Sequence, residues 1–193
     1  MYDRGEHAMV STQGAPATGV TIWQIDPAHS TVEFAVKHMM VTTVKGQFTG
    51  ISGTITLDEA DLARSSVAVE IDAASVTTRD PQRDGHLRSA DFFDVANHPK
   101  ITFTSTRVEA LGPDRLRVTG DLTIRGVTRP VVLDVTYHGR GVTPFGTTIV
   151  AFSAETTISR ADFGLTWNVA LEAGGVLVSD AVKISIEVEA IRQ

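Results

Sequence analysis

The sequence predicts an all-β protein with a single domain, and three observations lead to that prediction. Apolar and polar residues alternate strictly in several segments, which is the pattern of a strand with one buried face. Glycine, proline and aspartate separate these segments at short spacings that suit antiparallel neighbours rather than parallel crossovers. The chain of 193 residues is long enough to bury one sizeable core, and all-β barrels often reach this length as one domain.

The strand candidates follow one another along the chain, and each places alternate side chains on one face. They cover residues 32–36, 46–57, 67–71, 101–108, 116–124, 131–137, 150–154 and 182–190. Eight antiparallel strands close most simply into a barrel, although an open two-sheet sandwich has the same periodicity. Gly46, Gly50 and Gly53 fall inside the second candidate and predict a bulge or a sharp bend there.

A short helical segment near residues 80–95 interrupts the β pattern. Leu87 and the pair Phe92 and Phe93 have roughly helical spacing amid charged residues. Two adjacent phenylalanines cannot both face inward on one strand, whereas a helix end lying over a barrel mouth can bury both. We therefore predict a short helix and a turn, ended by Pro99, that act either as a fixed plug or as a movable lid.

The chain is expected to comprise a flexible N-terminal tail, residues 1–20, and a barrel domain, residues 21–193. Glycine and proline accompany serine and threonine in the tail, whose longest apolar stretch is residues 8–10. Because that stretch is far shorter than the core of a signal peptide, we expect a cytoplasmic location. No segment has the roughly eighteen uninterrupted apolar residues of a membrane span, so none is predicted.

Composition argues against several classes of function. Lysine and arginine number 17 against 23 aspartates and glutamates, and a formal charge of -6 disfavours nucleic-acid binding, which needs a basic face. The absence of cysteine removes disulfides, thiolate metal sites and cysteine nucleophiles. The six histidines do not have the close spacings of metal ligands, so no metal site is predicted. Neither a glycine-rich phosphate loop nor a Gly-x-Ser-x-Gly elbow is present, which lowers the expectation of an enzyme.

Five polar residues are candidates for contact with a ligand headgroup. His38 is expected to point inward near a strand end, where an ordinary hydrogen-bonded core histidine is the commoner explanation. Arg83, Asp84 and His86 belong to the densest charged cluster, which suits an anionic group such as a diphosphate through bidentate arginine contacts. The alternative for this cluster is a solvated helix face without a role in binding. Arg160 is either a second polar contact at the barrel mouth or part of a salt-bridged corner.

Several segments carry a recognisable pattern. Residues 25–30 have the sequence Ile-Asp-Pro-Ala-His-Ser, and residues 83–94 have Arg-Asp-Gly-His-Leu-Arg-Ser-Ala-Asp-Phe-Phe-Asp. Residues 120–130, GDLTIRGVTRP, and residues 159–165, SRADFGL, continue it, so that the pattern spans about residues 23–190. These segments resemble the YceI-like family of polyisoprenoid-binding proteins. The resemblance implies a lipocalin-like, eight-stranded antiparallel barrel whose elongated apolar pore holds a long isoprenoid chain. Many members of that family are periplasmic.

The leading hypothesis is non-enzymatic binding, transport or storage of a long isoprenoid amphiphile, either a polyprenyl diphosphate or an isoprenoid quinone. No cofactor is expected apart from such a bound lipid. The pore is expected to be lined by inward-facing apolar residues, with the two adjacent phenylalanines near a lid. These residues are Phe34, Val36, Phe48, Val69, Ile71, Phe92, Phe93, Phe103, Leu122, Leu133, Phe152, Phe163, Trp167 and Ile184.

Two other hypotheses remain open from the sequence. One is an enzyme acting on a hydrophobic prenyl or acyl substrate, with His38 or His86 as general base. The other is a structural or interaction protein whose barrel is packed solid by its own side chains. A symmetric homodimer is the default expectation for assembly.

Overall fold

The computed structural model describes residues 19–193, in which eleven strands form one antiparallel sheet. In chain order the strands are β1 (Val20–Ile25), β2 (Thr31–His38), β3 (Thr42–Phe48), β4 (Ile51–Asp58), β5 (Ser66–Asp72), β6 (Val76–Thr77), β7 (Lys100–Ala110), β8 (Arg115–Ile124), β9 (Val127–Val142), β10 (Thr148–Ser159) and β11 (Ala181–Arg192). The one α-helix in this range is α1 (Pro81–Arg88). The predicted flexible tail lies outside the described residues, apart from its last two.

Eight of the strands close into a barrel. Their order is β1, β4, β5, β7, β8, β9, β10 and β11, and β11 pairs back onto β1, where Ile25 lies opposite Ala190. Strands β2, β3 and β6 continue the paths of β1, β4 and β5 beyond short breaks and lengthen one wall. The predicted all-β, eight-stranded antiparallel barrel is therefore confirmed.

Two strand predictions are corrected by the breaks in these paths. The single candidate 46–57 is two strands, β3 and β4, with Thr49 and Gly50 between them. An added Cβ at Gly50 would lie 2.8 Å from the Cβ of Asp72, so the break leaves no space for a side chain. The first strand candidate, 32–36, is preceded by a further strand, β1, and residues 26–30 join β1 to β2. The Asp26 carboxylate accepts a hydrogen bond from the backbone N–H of Ala28 (2.9 Å) and stabilises a turn there.

Helix α1 begins at a strong capping sequence. The carboxylate of Asp80 accepts hydrogen bonds from the backbone N–H groups of Gln82 and Arg83, each 3.1 Å long, and Pro81 occupies the first turn. The helix ends at Arg88, well before the predicted stop at Pro99, and turns cover the chain from there to β7. No helix among residues 19–193 has the length and apolar character needed to cross a bilayer.

The barrel has two distinct ends. At the helix end α1 lies over the barrel, β10 ends and β11 begins, and buried Val76 and Phe163 belong to the core cluster there. At the opposite end lie the β9–β10 hairpin and the 3₁₀ turn Leu62–Arg64, and the core there includes Trp23 and Leu57. This division places the chain's helical segment, and with it most of the predicted polar site residues, at one end.

Candidate functional site

The interior of the barrel encloses a cavity of about 460 Å³, a volume typical of small-ligand sites. Its wall is built mainly from valine, isoleucine, leucine and phenylalanine, because alternate residues of each strand face inward. The lining reaches from His86 and Trp167 at the helix end to Ser65 and Leu116 toward the opposite end. A cavity of this size disfavours the hypothesis of a barrel packed solid by its own side chains.

The predicted pore residues lie on this wall, with one exception. Thirteen of the fourteen line the cavity, whereas Phe163 is buried in the helix-end core and does not reach the wall. Their contact with a ligand stays a prediction. Further wall residues were not among the predicted ones, although the alternation of apolar and polar residues alone indicates them. They are Val32, Ile55, Val67, Val118 and Ile186.

Two glycines determine how the aromatic rings lie in the lumen. Gly46 is opposite Phe34 in the β2–β3 register, and a Cβ added at Gly46 would fall 2.3 Å from the Phe34 Cζ atom. A Cβ added at Gly120 would likewise fall 2.4 Å from the Phe103 Cζ atom. Both rings therefore occupy the space above a missing side chain on a neighbouring strand. They lie against the wall, so the lumen beside them stays available.

Aromatic rings cover the cavity at the helix end. The His86 ring packs edge-on against Phe92 and Trp167, with centroid separations of 5.0 and 4.7 Å, and Phe92 lies 5.4 Å from Trp167. Phe93 meets Phe48 edge-on at 5.5 Å. The turn after α1 thus turns both adjacent phenylalanines toward the barrel, as the sequence predicted, and both line the cavity.

Hydrogen bonds fasten α1 to the adjacent wall. Arg83 donates from Nε to the Thr78 hydroxyl (2.7 Å) and from Nη2 to the Thr78 carbonyl (2.9 Å). The Asp84 carboxylate accepts from the N–H and the hydroxyl of the same threonine at 2.7 and 2.6 Å. Arg88 donates to two backbone carbonyls within residues 74–76, each at 2.8 Å. These bonds favour the plug over the movable lid, because opening α1 would break all of them.

Asp84 has a structural place in the site and does not line the cavity. Its burial disfavours the charge, but the hydrogen bonds from Thr78 and Thr77 and the charge of Arg88 together outweigh burial and hold the pKa of the carboxyl below its ordinary value. An ionised carboxylate that is already bonded to its own backbone has little to offer an anionic headgroup. The predicted headgroup role of Asp84 is therefore corrected to a role in positioning α1.

The other four headgroup candidates, His38, Arg83, His86 and Arg160, line the cavity. The Nε2 atom of His86 lies 2.8 Å from a carboxylate oxygen of Asp91, which orients the imidazole over the lumen. All four lie toward the helix end. The structure thus brings together, at one mouth, polar residues that are more than a hundred positions apart in the sequence.

Arg160 is buried and organises the chain around it. Its Nε donates to the carbonyl of Ser179 (2.9 Å), and its Nη1 donates to the carbonyls of Leu165 (2.6 Å) and Trp167 (2.9 Å). Burial lowers the pKa of the guanidinium, and nearby Asp180 opposes that effect. Since most of its donors are committed to backbone, Arg160 mainly holds Trp167 in place over the cavity.

One cluster in the described part of the chain brings three potential metal ligands close together, and the sequence did not reveal it. Ligand atoms of Asp26, His29 and Glu189 lie within 4.8 Å of one another, but none of the three lines the cavity. The hydrogen bond between Asp26 and His29 (2.8 Å) lowers the pKa of the carboxyl and raises that of the imidazole. The cluster joins β11 to the break between β1 and β2, and Glu189 is too far along the chain for spacing to indicate it.

Comparison with known proteins gives a consistent result. A family model described as the YceI-like domain matches residues 23–190. Protein YceI of Escherichia coli O157:H7 is 41% identical over 165 residues, covering 86% of this chain and 83% of that protein. A UPF0312 protein of Pectobacterium carotovorum is 37% identical over 186 residues, covering 96% and 93%.

Solved structures have the same fold. BcnA of Burkholderia cenocepacia superposes with a TM-score of 0.74 at 28% identity, covering 86% of this chain and 98% of its own. A polyisoprenoid binding domain from Saccharophagus degradans superposes with a TM-score of 0.63 at 19% identity, covering 91% and 100%. At 19% identity, the similarity to the Saccharophagus degradans domain shows a shared fold alone.

Proposed function

The chain belongs to the YceI-like family, and we propose that its barrel binds a long isoprenoid lipid without catalysing a reaction on it. The observation that carries the proposal is the apolar cavity of about 460 Å³ inside the closed sheet. Family and cavity together support a lipid-binding barrel. The isoprenoid tail, with a diphosphate or quinone headgroup, and a transport or storage role are the finer parts of the proposal.

The tail would supply most of the affinity. Burying hydrocarbon contributes roughly 0.8 kcal/mol per CH₂ group, so about ten buried carbons contribute about 8 kcal/mol before the costs of association. A hydrogen bond between a headgroup and a charged side chain adds about 1.5–3 kcal/mol. The wall therefore governs affinity, while the mouth adjusts the choice of headgroup.

The headgroup would lie at the helix end. Arg83 and Arg160 are the permanently charged residues on the described cavity wall, and both lie at that end, beside His38 and His86. Toward the opposite end the polar wall residues include Ser65, which carries no charge. An anionic group is attracted to the cationic end, so the tail would extend from there toward the opposite end.

Organic extraction of purified protein followed by mass spectrometry tests the proposal directly. An isoprenoid recovered in near-stoichiometric amount is the expected result. Added geranylgeranyl diphosphate should also quench the fluorescence of Trp167, which lines the cavity, and geranylgeraniol should do so more weakly because it lacks the charged headgroup. Protein free of lipid that also fails to bind either compound would contradict the proposal.

A matched pair of variants tests whether the cavity is the binding site. Leu133 and Val69 line the cavity on different strands, whereas Val132, next to Leu133, faces outward and is exposed. Leu133→Asp combined with Val69→Asp should abolish lipid retention, because charge enters the lumen. Val132→Asp should retain the lipid. If the double variant kept the lipid while its circular dichroism was unchanged, the lipid would have to bind outside the cavity.

The enzyme hypothesis has a separate test. His86 is held by Asp91 above the cavity, and an imidazole in that position could act as a general base. Incubation with prenyl esters and prenyl diphosphates across a range of pH should give no turnover. Turnover that is lost in His86→Gln would overturn the non-enzymatic part of the proposal.

A further inference from the structure

An exposed apolar surface lies beside the cavity at the helix end. It consists of Met39, Met40 and Val41 in the turn between β2 and β3, together with Val169 and Val176 on the neighbouring segment. Met40 and Val41 are 62% and 77% exposed, which is unusual for apolar side chains grouped in one place. We refer to these five residues as the methionine tip.

The backbone of the methionine tip has a conformation that its residues do not favour. The N–H of Val41 donates to the carbonyl of His38 (3.1 Å), and the two central residues, Met39 and Met40, have φ values of 50° and 61°. Such a turn, with both central residues left-handed, favours Asn-Gly. Two large apolar side chains therefore stand in solvent at a position where their backbone conformation is costly, which indicates a use for them in contact with something apolar.

The methionine tip continues directly into the cavity wall. The N–H of Met39 donates to the carbonyl of Leu177 (2.8 Å), and His38 forms a β-bridge with Val178. His38, Leu177 and Val178 all line the cavity, as does Val36 two residues earlier on β2. An apolar surface thus extends from the tip to the interior at the end where the polar wall residues gather.

Three lysines lie on the outer face of the same wall. The chain has only four lysines, Lys37, Lys45, Lys100 and Lys183. Lys45 and Lys183 both lie opposite Ala35, on either side of β2, and Lys37 lies two residues nearer the tip. All three are exposed, in a chain whose formal charge is -6. Lys183 also pairs with Glu155 (3.3 Å). Two further exposed carboxylates oppose this charge: Glu33, beside Lys45 and Lys183 on the same face, and Glu172, on the segment that carries Val169 and Val176.

We propose that the methionine tip docks the protein onto an anionic lipid bilayer, with its apolar side chains in the interface and Lys37, Lys45 and Lys183 facing the headgroups. Apolar side chains beside a cluster of cations are the combination that binds such a surface. This inference rests on the proposed lipid-binding function and adds where the ligand would enter, between bilayer and cavity at the helix end.

Co-sedimentation with vesicles tests the proposal. Wild-type protein should bind vesicles of phosphatidylcholine mixed with phosphatidylglycerol, and bind pure phosphatidylcholine more weakly. Met39→Asn combined with Met40→Gly should weaken binding by roughly tenfold or more, because two apolar side chains leave the interface. The same variant should unfold at an equal or higher temperature, because Asn-Gly suits the turn, so misfolding would not account for the loss.

Phe145 provides the matched control. It is 94% exposed in the β9–β10 hairpin at the opposite end, and Phe145→Asn should leave vesicle binding unchanged. The proposal is overturned if the turn variant binds as wild type does, or if Phe145→Asn removes binding. It is also overturned if wild type ignores vesicles and instead self-associates through the tip, seen as a dimer in sedimentation velocity that the turn variant abolishes.

Titration with geranylgeranyl diphosphate in the absence of vesicles keeps this proposal separate from the proposed function. The turn variant should bind that compound as wild type does, because the cavity wall is intact. Vesicle binding by a protein that takes up no isoprenoid would contradict the proposed function alone, and isoprenoid uptake without vesicle binding would contradict the docking surface alone.

Discussion

The two ends of the barrel are covered by different parts of the chain. At the opposite end the fully buried side chains belong to the barrel strands themselves, among them Trp23 and Leu57, each 1% exposed, and Leu62 of the 3₁₀ turn packs against them. At the helix end the cover comes from outside the barrel strands, where Phe92, His86 and Trp167 pack ring against ring. The side chains that fill the opposite end thus belong mainly to the sheet, whereas the cover of the helix end is a separate segment attached to the sheet.

This difference indicates which end can open. A side chain that belongs to a paired strand leaves its place only when the sheet is disrupted, whereas a helix or loop can separate in a local event of lower free energy. Helix α1 is fastened by hydrogen bonds, but Trp167 follows an irregular segment that is held largely by Arg160. A ligand path at the helix end therefore requires less of the fold to move.

The largest expected effect is at the opposite end. Trp23→Ala removes a fully buried ring and its hydrogen bond from Nε1 to the Thr21 hydroxyl (2.7 Å), and should lower the free energy of unfolding by about 3–5 kcal/mol. Denaturation in urea measures this loss. An effect below about 1 kcal/mol would contradict the view that this end is part of the cooperative core.

Asp84→Ala should have the next largest effect, at the helix end. It leaves the N–H and hydroxyl of Thr78 without their acceptor, at a cost of about 1–3 kcal/mol. Because α1 is attached to the barrel, much of the loss should appear as local opening. Amide hydrogen exchange should accelerate in α1 far more than in β8, and equal acceleration in both would remove the distinction between the two ends.

Tyr137→Phe tests the polar contact at the opposite end. The Tyr137 hydroxyl donates to the Glu59 carboxylate (3.1 Å), which also pairs with Arg140 (3.4 Å). Burial raises the pKa of Tyr137, so the phenol stays a donor throughout the neutral range. Its loss should cost about 1 kcal/mol of global stability in urea denaturation without faster exchange in α1. Selective loosening of the helix would contradict this assignment.

The smallest expected effect depends on pH. Since the pKa of Asp84 is lowered in the folded state, its contribution is present above the ordinary carboxyl pKa of about 3.9 and is lost as pH falls through the folded value. Asp180, whose pKa is lowered by hydrogen bonds from Ser159 and Ala161, acts in the same direction. Acidification should loosen the helix end, and the fluorescence of Trp167 measures this change. Asp84→Asn should make that fluorescence less dependent on pH. An unchanged response in Asp84→Asn would exclude Asp84 as its source.

The barrel wall could be predicted from the sequence because alternation determines which residues of a strand face inward. Ile184 and Leu133 reach the lumen for that reason alone. The ends of the barrel lack this periodicity. Nothing local shows that Asp84 turns toward Thr78, that Arg160 is enclosed by carbonyls, or that Phe163 stops short of the wall. Strand β1 does not show the alternation, because its outward-facing residues Val20 and Ile22 are apolar like its buried Trp23 and Ile25.

Gly46 and Gly120 affect the inner width of the barrel, because their lack of a side chain leaves space for the Phe34 and Phe103 rings against the wall. A methyl group at Gly46 would push the Phe34 ring toward the axis, because the added carbon and the ring cannot occupy the same space; at Gly120 it would also meet the backbone carbonyl of Thr104 at 2.6 Å. For the proposed lipid tail, the width that the barrel admits would therefore be adjustable at Gly46 by a single added carbon, which would meet side-chain atoms of Phe34 and Thr78. Under the proposed function, Gly46→Ala would be the simplest route to a barrel that selects straight chains over methyl-branched ones.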